Sequence, residues 1–165
     1  MSSGRVLHEF PPLYDEHSRV LILGTMPSPR SRELGFYYMH PQNRFWKMLA
    51  AVLSEPFPST VSERRALCLE HNIALWDVLA SCEIDGASDS SIKNAVPNDI
   101  PALLGKCPIT TVFTTGKKAH GLLGRFFSEI DDICLPSTSP ANRTISEEEM
   151  LEEYRAIAAA LSRGN

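Results

Sequence analysis

Apolar positions along the chain fall into short runs and periodic stretches, separated by loops rich in proline, serine and glycine. RVLILG, residues 19–24, is an apolar run closed by glycine and predicts a buried strand. A polar loop, TMPSPRSRELG, follows it. A helix is expected to start near Pro41, because proline suits a first helical turn. Phe45, Leu49 and Val52 then recur at helical spacing, and Trp46 and Leu53 widen the apolar face. Thr60 and Glu63 have the spacing of a capping box, which predicts a second helix. IALWDVL (73–79) starts as a strand, SCEIDGASDSSIKN reads as a long polar loop, and NDIPALLGKC carries a short helix. ITTVFTT (109–115), β-branched and aromatic, predicts a strand, and GKKAHGLLGRFF opens a helix at Gly116. ICLPSTSPANR (133–143) is a short strand running into a Ser/Pro loop. Ser146 and Glu149 form another capping box, and the last helix is expected to bury Leu151, Tyr154, Ala158 and Leu161.

Strands that alternate with crossover helices imply an α/β fold. The expected form is a three-layer α/β/α sandwich around a mainly parallel four-stranded sheet. The chain has 165 residues, enough for one domain with a real core, so residues 1–165 are read as a single domain. Three loops leave the C-terminal ends of predicted strands, and that edge is where open α/β sheets bind ligands.

Composition changes this picture little. No apolar run approaches the ~20 residues of a membrane span. MSSGRVLHEFPP lacks the apolar core of a secretory signal, so the expected setting is intracellular, cytoplasmic, with no membrane partner. Cys68, Cys82, Cys107 and Cys134 lie far apart without a CxxC pair, which predicts free thiols and no metal site. The formal net charge is −4, a weak argument against nucleic acid. Basic residues nevertheless cluster at Arg30 and Arg32, at Arg44 and Lys47, and at Lys117 and Lys118, while acids gather at 147–149 and 131–132.

Each loop supports two readings. LGTMPS (23–28) is either an ordinary βα turn or a set of backbone N–H groups aimed at a ligand. Gly116 and Lys117 either cap a helix or bind phosphate; the GxxxxGK[ST] spacing is absent. PSTSPAN (136–142) offers three hydroxyls, two prolines and an amide, as a phosphate-binding loop or as a solvent loop of turn formers. No GxSxG elbow occurs, and no cysteine opens a helix in a basic context, so acyl-enzyme chemistry has little support. His40 reads as a base or as a packing residue. Asn43, in FYYMHPQNRFW (36–46), cannot act as a base near neutral pH, but it can orient a water or hydrogen-bond a flat heterocycle.

Taken together, GTMPS, GFYYMHPQNRFWKML, ALWDVLASC with DSSI, TTGKKA and LPSTSPAN resemble the uracil-DNA glycosylase superfamily, over roughly residues 19–160. HPQNRFWK is similar to the corresponding segment of the mismatch-specific enzymes. The full set looks more like the deoxyinosine (hypoxanthine-DNA) glycosylase branch. The resemblance implies an α/β/α fold and hydrolysis of the N-glycosidic bond of a deaminated base in DNA, hypoxanthine or uracil, flipped out of the duplex. It implies no cofactor and DNA with a damaged base as the partner; the chain is expected to act as a monomer. Many superfamily members place Asp or Asn in the loop after the first strand to position the attacking water; here Met26 stands there. The resemblance therefore moves the catalytic role to Asn43. It implies a base pocket of Gly24, Thr25, Met26, Pro27, Tyr37, Tyr38 and His40, with Tyr38 stacking on the base. It implies DNA contacts from Ser137, Thr138, Ser139, Pro140, Ala141 and Asn142, with Lys117 and Arg44 on phosphates. A non-catalytic module that binds damaged DNA, and a hydrolase of free nucleosides, are the competing functions.

Overall fold

The run at 19–24 becomes a strand, Val20–Gly24, with every residue buried. Val20 and Ile22 pack into one apolar cluster and Leu21 and Leu23 into a second, so both faces of the strand are covered. That double burial is why the run is continuous rather than alternating. The computed structural model describes residues 4–84 and 91–163. Its strands are β1 (Gly4–Leu7), β2 (Val20–Gly24), β3 (Ile73–Asp77), β4 (Leu79–Ile84), β5 (Lys93–Pro97), β6 (Thr111–Thr115) and β7 (Ile133–Leu135). Its helices are α1 (Pro29–Leu34), α2 (Phe45–Val52), α3 (Val61–Glu70), α4 (Ile100–Leu104), α5 (Lys117–Phe126) and α6 (Glu147–Arg163).

The expected parallel sheet is present, with four strands in the order β3-β2-β6-β7. Helices α2, α3 and α6 supply the cluster on one face, and α4 and α5 supply the other, which makes the three layers. Phe36, Tyr37, Phe45 and Trp46 all enter the first cluster. Both capping boxes form. Thr60 and Glu63 exchange theirs at the start of α3. At α6 the Glu149 N–H donates to Ser146 Oγ at 3.1 Å, and the Ser146 N–H donates to Glu149 Oε1 at 3.3 Å.

Four expectations change. The loop after β2 contains a short helix, α1, capped by Ser28, whose Oγ accepts the Ser31 N–H, and closed by Gly35 at φ 69°. Helix α2 starts at Phe45 rather than near Pro41, because residues 40–43 form a turn closed by the Asn43 N–H on the His40 carbonyl. Helix α6 is turned slightly: Met150, Tyr154, Ile157 and Ala160 are deepest, and Leu151, Ala158 and Leu161 sit at the margin.

The largest change is a second sheet, antiparallel, in the order β1-β4-β5. It takes up the ends of the segment read as a polar loop; residues 85–90, including the DS of DSSI, lie outside the described residues. Its strands are short, β5 is polar and half-exposed, and the β4–β5 register is broken twice, so pairing rather than composition creates them. Val78 turns the chain from β3 into β4, with its N–H on the Gly24 carbonyl. Among the described residues no helix is long and apolar enough to cross a membrane.

Candidate functional site

A cavity of about 420 Å³ opens at the C-terminal edge of the parallel sheet. Gly24, Thr25, Met26, Pro27, Tyr37, Tyr38 and His40 all line it, and so does Asn43. Ser137 through Ala141 close it from the loop after β7. The sequence motifs thus meet at the strand ends, as an open α/β sheet requires.

Tyr38 is the flat wall. Phe45 stacks on its ring at 3.9 Å between centroids and 18° between planes. Its hydroxyl lies 3.2 Å from Thr115 Oγ1, which itself donates to the Leu23 carbonyl, so the tyrosine is the donor. The residue sits in the left-handed region at φ 53°, a strain of about 1–3 kcal/mol for a residue with a Cβ. Stacking and the hydroxyl contact hold it there. Burial first, then the Asp77 charge, keeps its phenol pKa well above the ordinary value, so the ring stays neutral. Tyr37 is different: it is 2% exposed, with its hydroxyl on the Pro11 carbonyl and its ring edge-on to Phe10 and Phe36. It forms structural backing for the wall.

Asn43 reaches the cavity from the start of α2. Its Oδ1 accepts the Phe45 N–H at 2.9 Å, a local turn just ahead of the helix that fixes which way the amide points. The NH₂ end is left without a partner among the described residues, so the group facing the cavity is a hydrogen-bond donor. His40 Nδ1 accepts the Gln42 N–H, which places the proton of a neutral ring on Nε2.

The loop at 136–142 is held from inside. Ser137 Oγ accepts the Ser139 N–H, and Ser139 Oγ accepts the Ala141 N–H. Asn142 donates its NH₂ to the Ser137 carbonyl, and its Oδ1 accepts from Thr144. Arg44 ties this loop to α2: its backbone N–H reaches the Thr138 carbonyl, and its guanidinium reaches the carbonyls of Asn142 at 2.8 Å and Ile145 at 3.4 Å. Arg44 and Asn142, expected on DNA, therefore turn their side chains to the loop itself. Thr138 is 2% exposed and meets the cavity only from its wall. Gly116 adopts φ 102°, and a Cβ there would stand 3.1 Å from Ser137 Cβ, so glycine lets the two loops close up. Lys117, exposed in the first turn of α5, enters no ion pair among the described residues. By contrast, Lys47 is paired with Glu147 at 2.7 Å.

Sequence reasoning missed Ser28, Ser31, Asp77 and Thr115 as lining residues. Ser31 is the hinge pin, accepting the Met39 N–H and so joining the GTMPS segment to FYYMHPQN. Asp77 is the more consequential omission. It ends β3, is 4% exposed, and pairs with His8 Nε2 at 2.8 Å. The available signal was an acid at the C-terminal end of an apolar strand. Among the described residues no three His, Cys, Asp or Glu side chains cluster as a metal site. Cys68, Cys82 and Cys107 are free and buried; Cys134 is free and exposed.

Residues 11–161 match the model of the uracil DNA glycosylase superfamily. A Methanosarcina acetivorans protein named hypoxanthine DNA glycosylase is 34% identical over 143 residues, 84% of this chain and 89% of its own length. A Methanosarcina barkeri protein of the same name is 36% identical over 112 residues, 67% of this chain and 71% of its own. The solution NMR structure of a candidate uracil DNA glycosylase from M. acetivorans superposes with a TM-score of 0.79 at 29% identity, covering 93% of this chain and 96% of that one.

Proposed function

Since this chain belongs to the uracil DNA glycosylase superfamily, we propose that it is a monofunctional DNA glycosylase that releases a deaminated base, hypoxanthine first, from DNA. The observation that carries the reading is the cavity itself, a stacking ring and a directed amide donor at the strand ends under a rigid Ser/Pro loop. The nucleotide leaves the duplex, and its base lies against the free side of Tyr38. Base–aromatic stacking is worth about 1–3 kcal/mol, which offsets much of the cost of unstacking.

Hydrolysis breaks the bond between C1′ and the base nitrogen, and the electron pair leaves with the base. Positive charge develops on the sugar and negative charge on the base. The Asn43 NH₂ stabilises that developing negative charge at a base oxygen or nitrogen, because its oxygen is committed to the Phe45 N–H. Water completes the reaction at C1′, and its proton is lost to solvent. Ser137, Ser139 and Pro140 form the rim that meets the strand beside the gap, and Lys117 takes a phosphate. The enzyme acts as an intracellular monomer without a cofactor.

The test uses the purified chain with duplexes that carry hypoxanthine, uracil, xanthine or only normal bases, followed by alkali to reveal abasic sites. Alkali-dependent cleavage at hypoxanthine is expected. Tight damage-specific binding with no base released from any duplex returns the molecule to a binding module. Release from free deoxyinosine independent of DNA makes it a nucleoside hydrolase. Strand scission without alkali, or borohydride trapping on the protein, assigns a lysine nucleophile instead.

A further inference from the structure

Beside the rim, α5 carries a charged cluster that the cavity does not use. Gly116 opens α5 against Ser137 of the rim, and Lys117 stands in its first turn. His120 follows three residues later, so it shares a helix face with Lys117, about 5–6 Å away at Cβ. Its ring Nδ1 lies 2.8 Å from Asp132 Oδ2. The same oxygen accepts the Thr114 hydroxyl at 2.6 Å, and Thr114 is fully buried on β6. The partners differ in setting: the Asp132 side chain is 7% exposed and the His120 side chain 52%. The network therefore fixes the inner edge of the ring to the fold and leaves the outer edge in solvent.

That arrangement decides what the outer edge can bind. A carboxylate oxygen only accepts, so the ring donates to Asp132 from Nδ1. Neutral His120 then turns a bare lone pair outward at Nε2, which repels an anion. A second proton on the ring makes Nε2 a charged donor, and Asp132 supports the added charge from behind. Around the ring, α5 contributes the Lys117 ammonium, β6 contributes no titratable group, and β7 contributes Cys134. Desolvation holds the Cys134 thiol above its ordinary value, so it stays neutral. The segment between α5 and β7 also carries Glu129 and Asp131, both exposed.

We propose that His120, oriented by Asp132, binds a second DNA backbone phosphate beside Lys117, and binds it as the imidazolium. The proposal rests on DNA as the substrate and not on which base is released. A strand that delivers a nucleotide to the cavity passes the Ser137 rim, and α5 begins at that rim. A phosphate at Nε2 meets the charged edge of the ring, with Asp132 on the far edge. Binding therefore takes up a proton. The contact is made at low pH and lost as pH rises through the range in which an imidazole titrates. His120 touches the phosphate, and Asp132 is a positioning residue.

The experiment measures binding to an undamaged duplex by fluorescence anisotropy, over a salt series at about pH 6 and about pH 8. For the wild-type protein the slope of log affinity against log salt is expected to be steeper by about 0.9 at the lower pH, one more phosphate neutralised. His120→Gln should give the same slope at both, matching the wild-type protein at the higher pH. A wild-type slope that ignores pH, or a pH effect that survives in His120→Gln, overturns the proposal. Asp132→Asn should lower the pH at which the extra affinity is lost, because no carboxylate supports the cation; an unmoved midpoint removes Asp132 from the role. NMR of the wild-type ring is a check that needs no variant. The His120 titration midpoint is expected to rise when the duplex is added, while that of His17, which precedes β2 at the opposite edge of the sheet, holds. No movement at His120, or equal movement at both, counts against the contact. Base release enters none of these readings. A protein that binds in this way and releases no base defeats the glycosylase reading alone, and one that releases hypoxanthine with a slope indifferent to pH defeats the phosphate contact alone.

Discussion

The floor and the rim of the cavity are built differently. The floor is Gly24, Asp77, Thr115 and the Tyr38 hydroxyl, set by the ends of β2, β3 and β6 and almost closed to solvent. Its contacts are between side chains distant in sequence: His8 to Asp77 across 69 positions and Tyr38 to Thr115 across 77. The rim is Asn43 and residues 137–141, where side chains bond backbone two residues away. A floor set by parallel ladders tolerates no added atom. A rim set by local turns depends on long-range ties, Arg44 to the carbonyls of Thr138 and Asn142 and the Tyr154 hydroxyl to the Pro136 carbonyl. Substitutions in the two regions should therefore fail differently, the floor chiefly through chemistry and the rim through order.

Gly24→Ala should have the largest effect. The added methyl meets Asp77 Oδ1 at 2.4 Å and the Tyr38 hydroxyl at 3.2 Å, so the floor must open. Base release is expected to fall at least about 100-fold, with about 1–3 kcal/mol lost from overpacking in urea unfolding. A variant with near-normal turnover would show that floor and rim do not differ in the way described.

Asn43 sits where the two regions meet, and paired substitutions separate its tasks. Asn43→Asp keeps an acceptor for the Phe45 N–H and replaces the NH₂ donor, whereas Asn43→Ala removes both. The aspartate variant should keep its stability and lose about 10²- to 10³-fold in single-turnover rate. The alanine variant should lose a similar factor in rate and about 1 kcal/mol of stability as well. Full rate in Asn43→Ala removes Asn43 from the mechanism.

Legibility follows the same division. The rim was readable because its turn formers lie side by side in PSTSPAN and HPQN, and the parallel sheet because β2 and β6 are dense apolar runs. Asn43 was found as a residue, but its orientation was not, since the Phe45 N–H that fixes it needs the helix to start at residue 45. Asp77 stood in plain view within ALWDV. Nothing in that run shows that β1 folds back to place His8 against it, because β1 is four residues long and pairs with a strand about 75 positions later. Arg44, one of a basic pair beside a family motif, was expected on a phosphate. Its partners are backbone carbonyls, which carry no residue signature.

Arg44→Met tests the rim's dependence on its Arg44 clamp. The methionine keeps the apolar stem and abandons the carbonyls of Asn142 and Ile145. Loss of about 1–2 kcal/mol is expected, with faster hydrogen exchange confined to residues 137–145 and weaker DNA binding at unchanged preference among bases. A shift in base preference would mean that the clamp reaches the floor.

The smallest effect is expected at Lys117, outside both regions. It is exposed at the N-terminal turn of α5, next to the loop that Gly116 lets approach, and no acid neutralises it among the described residues. A lysine on a phosphate adds affinity through released counterions and carries no information about the base. Lys117→Gln should therefore weaken binding a few-fold, equally for hypoxanthine-containing and normal duplexes. It should lower the slope of log affinity against log salt by about 0.9. Lys47→Gln, whose lysine is already paired with Glu147, should leave that slope unchanged. Equal slopes for the two variants would place the DNA away from α5 and leave the Ser/Pro rim as the contact with the strand.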